Sequence, residues 1–297
     1  MGGSARTELV VQLLDGKAIA LKVRGEVAER ARRFEAQHGR KPGLHVVLAG
    51  DDPASAVYVR NKEKAALEAG FWGTVHRVPA EISQEELEAL VARLNEDDAV
   101  DGILVQLPLP SGIDPAPILK LIRHDKDVDG FHALNVGALW SGMPGLVPCT
   151  PRACVRLLDE ARVQLAGSRA LVIGRSNIVG KPVAALLLAR DATVTVAHSR
   201  TVDLAERCRE ADIVIAAVGR AKMVQGDWIK PGAAVIDVGM NRDERGKLCG
   251  DVDFEAARTR AGVLTPVPGG VGPMTIAMLM ENTLLAAEAR LSQTEVS

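Results

Sequence analysis

The stretch LVIGRSNIVGKPVAALLLAR, residues 171–190, reads as an apolar strand, a glycine turn and a helix in immediate succession. Gly174 lets the backbone turn sharply off the strand, and Gly180 allows the helix to pack closely behind it. The helix N-terminus then offers unpaired N–H groups and a partial positive charge to a phosphate. The spacing departs from the dinucleotide fingerprint G-x-G-x-x-G, because Arg175 and Ser176 interrupt the tight glycine pattern. The turn is read as phosphate-binding from its place between strand and helix more than from its letters. The same alternation extends in both directions. LHVVLAG (44–50), TVHRV (74–78), GILVQL (102–107), ALVIG (170–174), ATVTVA (192–197), DIVIAAVG (212–219) and AAVIDVG (233–239) are strand-like runs separated by helical patterns. That order predicts an α/β fold with parallel sheets.

Helix starts are legible. Ser83 with Glu86 forms a capping box, and Thr150 followed by Pro151 supplies an N-cap and a proline at the first helical position. Between two sets of strand–helix units stands SGMPGLVPCTP, residues 141–151, rich in Gly and Pro, and the domain boundary is placed there. The expected division is an N-terminal catalytic domain over 1–148 and a Rossmann-type nucleotide domain over 149–272, with a substrate cleft between them. The last helix, 273–297, is expected to return to the first domain, since chain termini often lie close together.

Composition narrows the partners. Of 297 residues, 36 are basic and 38 acidic, for a formal charge of -2, which argues against nucleic acid or a membrane surface and favours a small molecule. Cys149, Cys154, Cys208 and Cys249 show no CxxC spacing, so neither a zinc site nor a disulfide framework is indicated, and reduced thiols in a cytoplasmic enzyme are expected. MGGSARTELV lacks the order of a signal peptide, and Arg6 occupies a position where a myristoylation signal wants Ser or Thr. The run PMTIAMLMENTLLAAEARL, broken by Glu281 and Asn282, is too short to span a bilayer and reads as an amphipathic helix.

The strand after the glycine turn discriminates between cofactors. NAD sites usually place an acid at its end, about 20 residues past the glycines, to hold the ribose hydroxyls. Here the end reads AHSRT, with His198, Ser199 and Arg200 and no acid, while Arg175 waits on the turn. A 2′-phosphate would meet two guanidinium groups and a hydroxyl, which favours NADP.

SAVYVRNK, residues 55–62, sets Tyr58 and Lys62 four residues apart, on one face of a helix. Two readings stay open from this segment alone: a catalytic pair, or a solvated face rich in Arg60, Lys62, Glu63 and Lys64. A Tyr-x-x-x-Lys pair resembles that of short-chain dehydrogenases, where it lies downstream of the nucleotide-binding glycines. The reversed order here points instead to a substrate site in the other domain.

VQLPLP (105–110) and TPVPGGVGPMTIAM (265–278), taken with YVRNK, KDVDG (126–130) and GRSNIVGKP, resemble the bifunctional methylenetetrahydrofolate dehydrogenase/methenyltetrahydrofolate cyclohydrolase family, in the family's order from LDGKAIA near residue 14 to the last helix. The resemblance implies a catalytic set of Tyr58, Lys62, Gln106 and Asp129. Tyr58 would pack on the pterin, Lys62 would be the catalytic lysine with Ser55 nearby, Gln106 would orient that lysine, and Asp129 would accept from two donors on the pterin's amidine-like edge. Ser55, Val105, Gln106 and Leu107 would also bind the substrate, and Pro268, Gly269, Gly270, Val271 and Gly272 would line the folate site. Gly174, Arg175, Ser176, Ser199, Arg200 and Met240 would take NADP. A homodimer is the family expectation, and no metal is implied.

The reactions so implied are NADP-dependent oxidation of 5,10-methylenetetrahydrofolate to the methenyl cation and hydrolysis of that cation to 10-formyltetrahydrofolate. The first needs two rings aligned. The second needs a proton carrier, which a lysine provides. The alternatives are another two-domain NADP dehydrogenase of the shikimate type and a nucleotide-sensing protein without catalysis.

Overall fold

The computed structural model of the chain describes residues 10–294. The N-terminal stretch read for targeting signals lies, save its last residue, outside them. The first half runs β1 (Gln12–Leu13), α1 (Gly16–His38), β2 (Gly43–Ala49), α2 (Pro53–Glu68), β3 (Trp72–Val78), α3 (Gln84–Glu96), β4 (Gly102–Val105), α4 (Pro115–Leu121) and α5 (Ala133–Ser141). Then come α6 (Cys149–Glu160), β5 (Arg169–Ile173), α7 (Gly180–Leu188), β6 (Thr193–Ala197), α8 (Leu204–Glu210), β7 (Ile213–Ala216), β8 (Ala234–Asp237), the hairpin β9 (Asn241–Arg242) and β10 (Leu248–Cys249), α9 (Phe254–Arg258), β11 (Val263–Leu264) and α10 (Val271–Thr294).

Two compact units result. One comprises Ala20–Cys149 and the last helix from Thr275; the other comprises Thr150–Met274 and the described residues up to Ile19. The sequence reading assigns everything before residue 149 to the first domain, and β1 departs from it. Gln12 and Leu13 pair in parallel with Val263 and Leu264 of β11, in the second unit's sheet. A two-residue strand carries no alternation by which a sequence reading could place it.

In the first unit β3, β2 and β4 form a parallel sheet in that order. All positions of β2 and β4 are buried, as expected of parallel strands covered on both faces, and this is why they read as unbroken apolar runs. Val47, Ile103 and Val105 pack against Leu87, Val91 and Leu94 of α3 and Ile118 of α4. The Ser83–Glu86 capping box opens α3 as the sequence predicts. Beyond β4, a single parallel bridge joins Ile103 to Asp127 and carries the chain past the sheet's end.

The second unit's sheet is parallel throughout, in the order β1-β11-β8-β7-β5-β6. From β5 the chain moves to β6 on one side and returns to β7 on the other. The strand order therefore reverses at β5, and the crevice at that point is where open α/β sheets take their ligands. At the head of this unit α6 begins at Cys149, so Thr150 lies within the first turn rather than capping it; Pro151 is tolerated there because first-turn N–H groups have no intrahelical partner.

The last helix is more enclosed than an amphipathic surface helix. Met278, Met280, Asn282, Thr283 and Leu284 are all buried. Asn282, one of the two residues that interrupt the apolar run, donates from Nδ2 to the carbonyls of Val128 and Val147, each at 2.8 Å. Among the described residues no helix is long and apolar enough to cross a membrane.

Lys126 shows how the first unit meets its buried polar demands. The residue is fully buried, and its Nζ donates to the carbonyls of Leu94 (3.2 Å), Asn95 (2.7 Å) and Asp97 (2.7 Å), which closes the C-terminal end of α3. Carbonyls at a helix end need such donors. Lys126→Met keeps much of the volume and removes every donor, so it is expected to cost about 2 kcal/mol or more, read as a lower midpoint in urea unfolding. An unchanged midpoint would show that water serves these carbonyls equally well.

Candidate functional site

In the first unit, the side chain of Asp52 caps α2 by accepting from Ser55 N at 2.7 Å, and Pro53 occupies the first turn. Ser55 itself is buried. The helix then presents Tyr58 and Lys62 one turn apart, as their spacing predicts. Tyr58 is 44% exposed. Lys62 Nζ donates to Gln106 Oε1 at 2.9 Å. Gln106 is well placed to hold it: its backbone N–H bonds to Val47 O at 2.9 Å, extending the β2–β4 ladder, and its Nε2 donates to Leu107 O at 2.7 Å. With the amide group fixed by its own donor, the oxygen is left facing the lysine.

Asp129 lies within the field of Lys62. Burial pushes its carboxyl up to about 6, the Lys62 ammonium pulls the other way, and the neighbouring Asp127 adds to the rise. Asp127 is buried, and its Oδ2 accepts from His132 N at 2.7 Å and Asn135 Nδ2 at 3.2 Å. The turn after Asp129 is tight. Gly130 has φ 73°, and a Cβ there would lie 2.6 Å from Pro148 N. The structure thus gathers Lys62, Gln106 and Asp129, the three residues that the motifs single out around Tyr58. The side chain of Val105 is buried in the hydrophobic core. Leu107 is exposed and joins Pro108 through a cis peptide bond.

In the second unit the glycine turn is built as the sequence predicts. A Cβ on Gly174, whose φ is 127°, would lie 2.2 Å from Ala217 O, and one on Gly180 would lie 2.2 Å from Gly174 O. Neither position admits a side chain without moving backbone. Ser176 Oγ accepts from Val179 N at 3.1 Å and Gly180 N at 3.3 Å, so its hydroxyl already tends the start of α7. Arg175 follows β5, and Ser199 and Arg200 follow β6, its neighbour in the sheet; all three residues are exposed. Two guanidinium groups therefore stem from adjacent strand ends.

The segment Pro268–Gly272 leads into α10 and carries a second cis peptide bond, Val267–Pro268. Gly269 has φ 112°. Met240 lies beside Gly272, where a Cβ would meet Met240 Cε at 3.5 Å. Val271 is buried, so its side chain serves the core rather than the surface of the loop. Gly16, in LDGKAIA, lies behind this segment. Its Cβ would lie 1.8 Å from Gly270 O, so LDGKAIA is pressed against the glycine pair. Asp127, within KDVDG, and Asn282, read as an interruption of the last helix's apolar run, both brace the Asp129 turn. Among the described residues no group of three or more His, Cys, Asp or Glu side chains is placed to hold a metal ion.

A glycine turn at a reversal of strand order, with a basic pair beside it, defines a dinucleotide-binding unit, and the other unit holds the lysine–amide–carboxylate group of Lys62, Gln106 and Asp129. Comparison with known proteins gives this class a family. Residues 14–129 match the catalytic domain of tetrahydrofolate dehydrogenase/cyclohydrolase, and residues 148–291 match its NAD(P)-binding domain. The bifunctional protein FolD of Acidiphilium cryptum is 63% identical over 95% of this chain and 100% of its own length; that of Sorangium cellulosum is 59% identical over 96% and 100%. The solved structure of the bifunctional FolD dehydrogenase/cyclohydrolase from Campylobacter jejuni superposes with a TM-score of 0.91 at 48% identity, covering 94% of this chain and 99% of that one. A Trypanosoma brucei FolD solved with NADP cofactor and inhibitor gives 0.89 at 44% identity, covering 95% and 98%. The chain belongs to the tetrahydrofolate dehydrogenase/cyclohydrolase family. Membership sets aside both the shikimate-type dehydrogenase and the non-catalytic sensor.

The raised carboxyl of Asp129 has a consequence for stability. Its ordinary value is 3.8 and its folded value about 6, so between these the folded state keeps a proton that the unfolded state has lost. Stability therefore falls as pH rises through that window, and the full penalty stands above it. Asp129→Asn removes the penalty. The variant is expected to melt higher than the parent at pH 7.5, with the gap closing towards pH 4, in paired thermal scans. A gap independent of pH would mean that the carboxyl is not destabilised by burial.

Proposed function

We propose that this chain is a bifunctional one-carbon folate enzyme that oxidises 5,10-methylenetetrahydrofolate with NADP to 5,10-methenyltetrahydrofolate and then hydrolyses the product to 10-formyltetrahydrofolate. The observation that carries this reading is the 2.9 Å hydrogen bond from Lys62 to Gln106 beside Asp129, in a unit matched to the family's catalytic domain.

NADP, when bound, accepts the hydride. Gly174, Arg175, Ser176, Ser199, Arg200 and Met240 are the residues proposed to hold it, and the backbone cradle at Gly174 and Gly180 supports this, because a Cβ at either position would collide with backbone. Tyr58 and Asp129 are proposed to seat the pterin, with Ser55, Val105 and Leu107 contributing near them and Pro268, Gly269, Gly270, Val271 and Gly272 lining the rest of the folate. In this scheme Asp129 receives the pterin's donors as a carboxylate, the form that prevails above about 6. Lys62, held by Gln106, carries the proton in the hydrolytic step, taking it from the attacking water and returning it to the nitrogen released when the ring opens. Hydride transfer asks for orientation alone; water attack asks for a proton carrier.

The domains are proposed to divide near residue 148, with the helix from 273 serving the first. A homodimer is proposed as well, supported by β3, which stands at the open edge of its sheet with Trp72 exposed. The cytoplasm is the proposed compartment. Burial pushes the thiols of Cys154 and Cys208 up to about 12, consistent with reduced, unreactive cysteines.

Lys62→Gln tests the division of labour, since it keeps a hydrogen-bonding end and removes the titratable amine. Cyclohydrolase activity is expected to fall by about a hundredfold or more while dehydrogenase activity survives in part. Near-normal values for both would mean that α2 presents only a solvated face. Loss of both with folate and NADP still binding would place Lys62 in a step common to the two reactions.

Cofactor choice is tested separately. Charge-assisted contacts worth roughly 1.5 to 3 kcal/mol each, though screened at this exposed site, support at least about a tenfold preference for NADP over NAD. The Arg175→Ala, Arg200→Ala double variant is expected to lose most of that preference in kcat/KM. Preference retained in the double variant would remove these residues from 2′-phosphate recognition.

A further inference from the structure

We infer that Asp251 is a positioning residue for the dinucleotide, acting through the backbone of the loop at residues 217–220. The residue is fully buried in the second unit. Its carboxyl accepts from three successive backbone N–H groups, Val218 at 2.6 Å, Gly219 at 3.1 Å and Arg220 at 2.8 Å, and from Asn241 Nδ2 at 2.9 Å. Successive amides converging in this way form an anion-binding concavity. Here the protein fills it with its own side chain, so the concavity serves to fix the loop.

A second buried carboxyl fixes the first. Asp237, the last residue of β8, accepts from Gly239 N, Asp251 N and Val252 N, each at 2.9 Å. Two glycines that no turn explains are accounted for by this pairing. A Cβ on Gly250 would lie 1.8 Å from Asp237 Oδ2, and one on Gly239 would lie 2.4 Å from Asp251 Oδ1. The carboxyls thus lock together the turns after β7 and β8 and the approach to Met240.

The loop they hold lies against the glycine turn. Ala217 N bonds to Ile173 O at 2.8 Å, and Ala217 O is the atom that excludes a side chain from Gly174. β5 and β7 are neighbours at the reversal of strand order, so the 217–220 backbone forms one wall of the crevice and the Gly174 turn the other. Each buried carboxyl demands several donors to offset its desolvation. What the arrangement secures is the conformation of a four-residue loop beside the cofactor turn.

The inference rests on the reading of this unit as the NADP site, so the test begins with NADP titrated into the unaltered protein; absence of binding there would defeat that reading and leave no site for Asp251 to position. With binding established, two variants follow. Asp251→Asn keeps the shape but aims an amide donor among N–H groups, and is expected to weaken NADP binding by about tenfold or more. Gly219→Ala strains the same loop from its exposed side. Its φ is 65°, with nothing within 4 Å of a Cβ, and it is expected to weaken NADP by about threefold. In both, the KM for NADP should rise more than kcat falls. Hydrolysis of supplied methenyltetrahydrofolate, which needs no cofactor, should fall by less than NADP affinity does. NADP affinity unchanged in a folded Asp251→Asn protein would overturn the proposal, as would parallel loss of both activities with NADP affinity intact. If Asp251→Asn does not fold, Gly219→Ala decides, and wild-type NADP affinity in that variant would overturn it.

Discussion

Parallel strand pairing is the constraint on which the rest depends. Both main sheets consist only of parallel strands, so within each sheet every strand ends on the same edge and the chain must cross back before it can add another. The candidate residues all fall where that edge opens. In the first unit, Gln106 follows β4, Asp129 follows the bridge beside β4, and Tyr58 and Lys62 stand on the helix that follows β2. In the second, Gly174 follows β5, Ser199 and Arg200 follow β6, the 217–220 loop follows β7, Met240 follows β8 and Pro268–Gly272 follows β11. Residues scattered along the chain are collected by topology.

Loops at such an edge need support, and the molecule supplies it from beneath with buried polar side chains bonded to backbone. Asn282 reaches from α10 to the carbonyls on either side of the Asp129 turn, at Val128 and Val147. Asp251 does the corresponding work under the loop after β7. Lys126 and Asp101 belong to the same pattern: Lys126 closes α3, and Asp101 accepts from Gly43 N and a two-pronged contact with Arg40. Each of these four buried polar side chains is matched by several partners, the condition under which burial of such groups is tolerated. The functional loops therefore rest on hydrogen bonds aimed at backbone.

The sequence made some of this legible for definite reasons. Continuous apolar runs marked β2, β4, β5, β7 and β8, because strands covered on both faces leave unbroken stretches, whereas β3 and β6 stand at sheet edges and are largely exposed. The glycine turn was readable because close approach of Ala217 to Gly174 and of Gly174 to Gly180 admits no other residue. Lys62 and Tyr58 shared a face because helical spacing puts them there. Other features left no pattern. β1 is two residues long and finds its partner β11 far along the chain. Val105 and Val271 sit inside functional motifs, yet their side chains belong to the core, a distinction that a motif does not carry. Asn282 looked like an interruption of an apolar helix, and Asp251 like one acid among many, because contacts to distant backbone leave no periodicity behind them.

The central claim is that one chain carries out hydride transfer and hydrolysis on the same folate in succession. The most direct measurement mixes the protein with 5,10-methylenetetrahydrofolate and NADP and follows the NADPH and methenyl absorbances together. The account predicts that NADPH accumulates steadily while the methenyl signal rises and then decays faster than it does in protein-free buffer. NADPH forming while methenyltetrahydrofolate decays only at the buffer rate would contradict the account, and so would the absence of NADPH.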